Sequence, residues 1–100
     1  MSEVRLSGRL ICSTQDDADA VATYLPAHVE LTRAEPGCLA FAVTPAEDPL
    51  VWDVEELFTD AGAFALHQQR VAASEWGRQT AAVERDYMVS GLPHVGPGGS

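Results

Sequence analysis

The residue in this chain best suited to chemistry is His67, because Phe64, His67 and Val71 stand at i, i+3 and i+7 and so share one helix face. An imidazole on such a face titrates near neutral pH and suits a general base, a general acid or a metal ligand. A core histidine bonded to a backbone carbonyl or a neighbouring acid fits the same spacing. Arg70 lies one turn further on, where it either positions an anionic substrate or stays solvated among the many acids. His28, at the end of an earlier helical segment, faces either a pocket or solvent, and a favourable charge near a helix C-terminus also accounts for it. Arg33 precedes Pro36-Gly37 and suits the last carbonyls of that helix.

Trp52, Trp76, Phe41 and Phe64, with Phe58, supply apolar walls for a flat aromatic ligand, and in a chain this short they equally supply the core. Glu55 and Glu56 adjoin in one strand and point to opposite faces, so they are not an acid–base pair. One is expected to meet water or a subunit partner, the other an arginine across the sheet. No GxGxxG, GxxxxGK[ST], HExxH or GxSxG occurs, and the scattered histidines and cysteines have no metal-ligand spacing. No metal site and no nucleotide cofactor are expected.

Positioning these residues requires a series of strands and helices. Leu6, Gly8, Leu10 and Cys12 alternate with Arg5, Ser7, Arg9 and Ile11, which reads as a first strand. Ser13 and Thr14 suit an N-cap, and Asp16, Asp17 and Asp19 load the first turn with charge that the helix dipole favours. Ala18, Val21, Ala22, Leu25, Val29 and Thr32 then form a helical stripe, with a kink or short break expected before Pro26. Proline removes a donor and glycine accepts a left-handed turn at Pro36-Gly37. There the period changes to two, with Leu39, Phe41 and Val43 alternating with small residues. Strands over 38–44 and 50–58 form a hairpin, Thr59 caps a helix from Asp60 to about Ala73, and Ser74 caps a shorter one through Trp76, Thr80 and Val83. The last strand is 85–90. This β-α-β-β-α-β series is the split βαβ pattern of a ferredoxin-like α+β subunit.

The chain's 100 residues suit one domain over 1–92, and the Pro/Gly-rich segment 93–100 reads as a flexible tail. Fifteen acidic residues against six arginines and no lysine give a formal charge of −9, which argues against nucleic acid and against anionic membranes. Cys12 and Cys38 read as buried thiols on strands that are not neighbours. With no signal peptide or long apolar run, the chain reads as soluble and cytoplasmic.

Two segments carry a family resemblance: Thr32-Arg33-x-Glu35-Pro36-Gly37-Cys38-Leu39-x-Phe41, and Glu56-x-Phe58-x-Asp60-x-x-Ala63-Phe64-x-x-His67. Together they resemble the antibiotic biosynthesis monooxygenase family, small ferredoxin-like subunits that pair into dimeric α+β barrels. Many members carry Trp where Phe58 stands and a second His where Ala72 stands, so a mechanism needing two histidines on that helix does not operate here. The resemblance implies O₂-dependent oxidation of a quinol or polycyclic phenol without cofactor. His67 would be the base, Arg70 or Arg33 the cation, and Trp52, Phe64 and Trp76 the walls. A non-catalytic dimeric binding module and a haem-binding or haem-degrading protein are the alternatives. A homodimer is expected independently, because helices cover one face of a four-stranded sheet whereas strands such as Leu39–Val43 place apolar residues on both.

Overall fold

Strand β1 (Val4–Ile11) opens the computed structural model, which describes residues 2–92. It is followed by α1 (Gln15–Arg33), β2 (Cys38–Pro45), β3 (Val51–Phe58), α2 (Ala61–Ala72), α3 (Glu75–Gln79) and β4 (Glu84–Ser90). The expected tail at 93–100 lies outside the described residues. All pairings are antiparallel in the order β2-β3-β1-β4, the arrangement of a split βαβ fold. Cys12 and Cys38 are free thiols.

Period-two patterning makes one face of the sheet the core. Val4, Leu6 and Leu10 of β1 stand opposite Phe58, Glu56 and Trp52 of β3, and all six are buried beneath the helices. The other face carries Arg5, Arg9, Asp53 and Glu55, together with Leu57, Ala40 and Ala42, and no helix of the described residues covers it.

Helix α1 starts where Thr14 Oγ1 accepts the Asp17 amide at 3.1 Å, with Asp16 and Asp17 in the first turn. It runs unbroken through Pro26, which lies on the exposed side, so the expected break is absent. Its buried face is Ala18, Val21, His28 and Thr32 rather than a stripe through Ala22 and Val29. Steps of three and four residues rotate His28 toward the sheet and leave Ala22 outside.

The corner after α1 differs from expectation in two respects. Among the described residues only Gly8 and Gly91 have positive φ, so Gly37 makes no left-handed turn. It is needed for close approach instead: a Cβ there would lie 2.3 Å from the Ala63 Cβ on α2. The β2–β3 register also shifts between Cys38 and Ala40, which drops Leu39 out of the alternation and leaves it 49% exposed while Phe41 stays buried. The cap of α2 is Asp60 rather than Thr59, its Oδ1 accepting the Ala63 amide at 2.8 Å. Ser74 caps α3 as expected, accepting the Gly77 amide at 3.0 Å, but the helix ends at Gln79, short of the expected Thr80 and Val83.

Candidate active site

The helical period of α2 turns Phe64 and His67 inward over the sheet. Phe64 packs edge-on against Phe58, with ring centroids 5.7 Å apart, and so belongs to the core behind the histidine. His67 is 3% exposed and lies among Phe58, Phe41 and His28, at centroid distances of 4.9, 6.0 and 6.1 Å.

The two ring nitrogens of His67 meet two different carboxyl groups. Nδ1 is 3.0 Å from Glu35 Oε1 and 3.2 Å from Oε2. Glu35 is held by the corner itself: its amide donates to Thr32 O at 3.0 Å and its carbonyl accepts from the Cys38 amide at 3.1 Å. Arg70, one turn beyond His67, donates through Nε to Glu35 Oε2 and through Nη2 to Thr32 Oγ1 at 2.9 Å. A carboxylate has only acceptor oxygens, so it takes a hydrogen bond from Nδ1–H as it does from the guanidinium. The Nε2 lone pair is thereby directed away from Glu35.

On that side, Nε2 lies 3.6 Å from Glu56 Oε1, too far for a hydrogen bond. Glu56 is 6% exposed and Oε1 has no hydrogen-bond partner within the protein. Burial first, and then the charge of Glu35, pushes its carboxyl up to about 7. Burial also holds the His67 imidazolium below its ordinary range, and the nearby Glu35 carboxylate opposes this. Near neutral pH the pair is therefore a neutral imidazole facing a carboxyl group that is about half protonated, and below it a neutral acid.

These groups line a cavity of about 50 Å³ with His28, Phe41, Trp76, Tyr87 and Arg85. His28 stacks flat on Trp76, with centroids 4.5 Å apart and planes 3° from parallel, and its buried Nδ1 also has no partner. Burial, followed by His67, Arg70 and Arg85, lowers its pKa to about 3, so it is a neutral wall rather than a helix-end cation. Arg85 holds the far side, donating to Thr80 O at 2.6 Å, Val83 O at 2.9 Å and Thr80 Oγ1 at 2.7 Å. Burial pushes the Tyr87 phenol up to about 12. Gln68 is the exposed member of the lining and marks its mouth.

The structure therefore brings His67, His28, Phe41 and Trp76 together. Arg70 stands behind Glu35 rather than in the lining, and Arg33 donates twice to Phe41 O, at 3.2 and 2.9 Å, instead of to the end of its own helix. Trp52 is buried beside Leu10 and Pro45 and, like Phe64, is outside the lining. Sequence reasoning missed Glu35, Glu56, Arg85 and Tyr87. Glu56 shares the parity of Trp52, Val54 and Phe58, which was the available signal for an inward-facing acid, and it meets a histidine rather than an arginine. Two larger concavities, of about 360 and 440 Å³, lie elsewhere, and neither is lined by a histidine.

A ferredoxin-like sheet with a histidine held over it between two carboxyl groups, Glu56 buried and Glu35 half-buried, defines a small α+β protein equipped to move a proton in a secluded site. The chain belongs to the antibiotic biosynthesis monooxygenase family, whose model matches residues 13–79, more than half of its length. No curated protein sequence matches it. Among solved structures it is similar to SnoaB from Streptomyces nogalater, described as a cofactor-independent oxygenase, with 13% identity, TM-score 0.71 and coverage of 97% of this chain and 99% of that one. It is also similar to MupZ from Pseudomonas fluorescens, with 19% identity, TM-score 0.75 and coverage of 91% and 73%. A third is Rv0793 from Mycobacterium tuberculosis, with 20% identity, TM-score 0.73 and coverage of 95% and 100%. At these identities the likeness shows the fold. Among the described residues no group of three or more His, Cys, Asp or Glu is placed to hold a metal ion, and no helix is long and apolar enough to cross a membrane.

Proposed function

We propose that this chain is a cytoplasmic, homodimeric, cofactor-independent monooxygenase that oxidises a small quinol or phenol with O₂. The observation that carries this reading is the direction of His67: Glu35 accepts from Nδ1 and leaves Nε2 as a free base over the cavity. Arg70 is a positioning residue that acts through Glu35, and Arg33 braces the carbonyl of Phe41. Trp76, His28 and Phe41 flank the reacting group, whereas Trp52 and Phe64 support the site from the core.

Deprotonation by Nε2 makes the ring electron-rich enough to pass one electron to O₂, and the resulting radical pair combines to a ring hydroperoxide. Loss of the ring C–H proton then breaks the O–O bond. For hydroquinone the balance is one hydroquinone plus one O₂ to one hydroxyquinone plus one water, with four electrons passing from the ring to oxygen. His67 takes the hydroxyl proton and returns it to the leaving oxygen.

A volume of about 50 Å³ holds a hydroxyl group or an O₂, well below the ~300 Å³ or more of a pocket that encloses a drug-sized ligand. It therefore favours a single ring entering hydroxyl-first past Gln68 over a polycyclic phenol. The same geometry disfavours haem, because Nε2 faces Glu56 across a space far smaller than a macrocycle. Hydroquinone in an oxygen electrode under ¹⁸O₂ tests the proposal. Protein-dependent uptake with one label in the quinone is expected, whereas uptake at the uncatalysed rate favours the binding-module reading.

A further inference from the structure

Removing a proton from a phenol leaves an anion in a site where burial penalises charge, so the oxygen that loses the proton needs a donor. Arg33 and Arg70 lie outside the lining, Arg33 bonded to Phe41 O and Arg70 to Glu35 and Thr32 with its buried Nη1 left without a partner, while Arg85 lines the cavity and is bonded to Thr80 and Val83. The group beside Nε2 is Glu56, a buried carboxyl on β3 whose Oε1 lacks a partner and lies 3.6 Å from His67 Nε2. That separation is too long for the two to bond each other, but it lets both converge on a third atom. An oxygen about 2.7–2.9 Å from each closes the triangle.

We propose that Glu56 is a second catalytic residue, a carboxylic acid that donates a hydrogen bond to the substrate oxygen deprotonated by His67 and so holds the phenolate between them. This rests on the oxygenase reading above. No bond to carbon forms or breaks at Glu56; its proton stays on the carboxyl and is shared with the phenolate oxygen. The surroundings suit the neutral form. Leu6 of β1 and Phe41 of β2 are apolar, His28 of α1 is neutral, His67 of α2 is an imidazole, and Tyr87 of β4 keeps its proton. Glu35 adds negative charge, and the guanidinium of Arg85 is bound to carbonyls. Once ionised, Glu56 would repel the phenolate instead of binding it.

The test measures hydroquinone-dependent O₂ uptake from pH 5 to 9 for wild type, Glu56→Gln and Glu56→Leu. The wild-type rate should fall above about pH 7, where the acid ionises. Glu56→Gln retains an N–H donor that does not titrate, so it should lose this alkaline limb and keep kcat within about tenfold of wild type. Glu56→Leu should lower kcat by about 100-fold with KM changed less than threefold, the size of effect expected when one oxyanion donor is removed. An alkaline limb retained in Glu56→Gln, or wild-type turnover in Glu56→Leu, overturns the proposal. Binding of 4-nitrophenol, read by its phenolate absorbance, separates this failure from failure of the oxygenase reading. A bound phenol ionised at lower pH in wild type and not in Glu56→Leu sustains the role of Glu56 even if hydroquinone draws no oxygen. Equal ionisation in both proteins, or no binding to wild type, overturns it.

Discussion

His67 Nδ1 lies 3.0 Å from Glu35 Oε1, a contact that ties the middle of α2 to the corner after α1 across 32 residues of chain. It fixes both the ring orientation and the tautomer, because the carboxylate accepts and Nδ1 donates. Glu35→Gln weakens that acceptor and removes the negative charge that raises the His67 pKa. The His67 titration, followed by NMR, is expected to move to lower pH. Loss of the charge-assisted contacts should cost about 1–3 kcal/mol of stability, read from denaturant unfolding. An unchanged His67 titration would mean that Glu35 does not control the ring.

Glu56 and His28 make opposite contributions to pH-dependent stability. His28 has a depressed pKa, so its penalty grows as pH falls below 6.5 and is complete near 3. Glu56 has a raised pKa, so the folded state binds a proton that the unfolded chain releases. Stability falls as pH rises from 4.5 and the loss is complete above about 7. Glu56→Gln removes only the second effect. Relative to wild type, the variant should therefore gain stability between pH 4.5 and 8, by of the order of 2–4 kcal/mol. Thermal melts across this range check it, and parallel curves would contradict it.

Gly37 has no room for a side chain, because a Cβ would meet Ala63 Cβ at 2.3 Å and Thr59 Oγ1 at 3.1 Å. Gly37→Ala should destabilise the fold by about 1–3 kcal/mol. Adding Ala63→Gly should recover part of the loss, after allowance for the cost of glycine in a helix. A double-mutant cycle measures the coupling, and strict additivity would exclude the contact as the cause.

The uncovered sheet face carries Ala40, Ala42 and Leu57, with Leu39 and Met88 at 49% and 75% exposure. A second copy placed over it would bury this surface. Light scattering at micromolar concentration should give a dimer mass, and Leu57→Glu should give a monomer. A wild-type monomer would remove the dimer from the account.

Much of the architecture was legible in the sequence because alternation and helical period act over short windows. β1 was readable from Leu6, Leu10 and Cys12, and α3 from its Ser74 cap. The chemistry was less legible, because it depends on contacts between residues far apart in the chain. Nothing local shows that Glu35 reaches His67, and Glu56 could be placed on the buried face only once the parity of its strand was fixed by Val54 and Phe58. Gly37 was readable as a corner residue but not for its cause, since close approach to Ala63 is a tertiary fact. Leu39 defeated the alternation because a bulge adds a residue without changing the pattern around it.

The most direct measurement is the hydroquinone-dependent O₂ uptake of His67→Ala beside wild type at pH 7, with circular dichroism confirming that both are folded. General-base catalysis typically contributes about 10²–10⁴-fold, so the variant should lose at least tenfold in turnover while keeping its fold. Equal turnover in the two proteins would contradict His67 as the base.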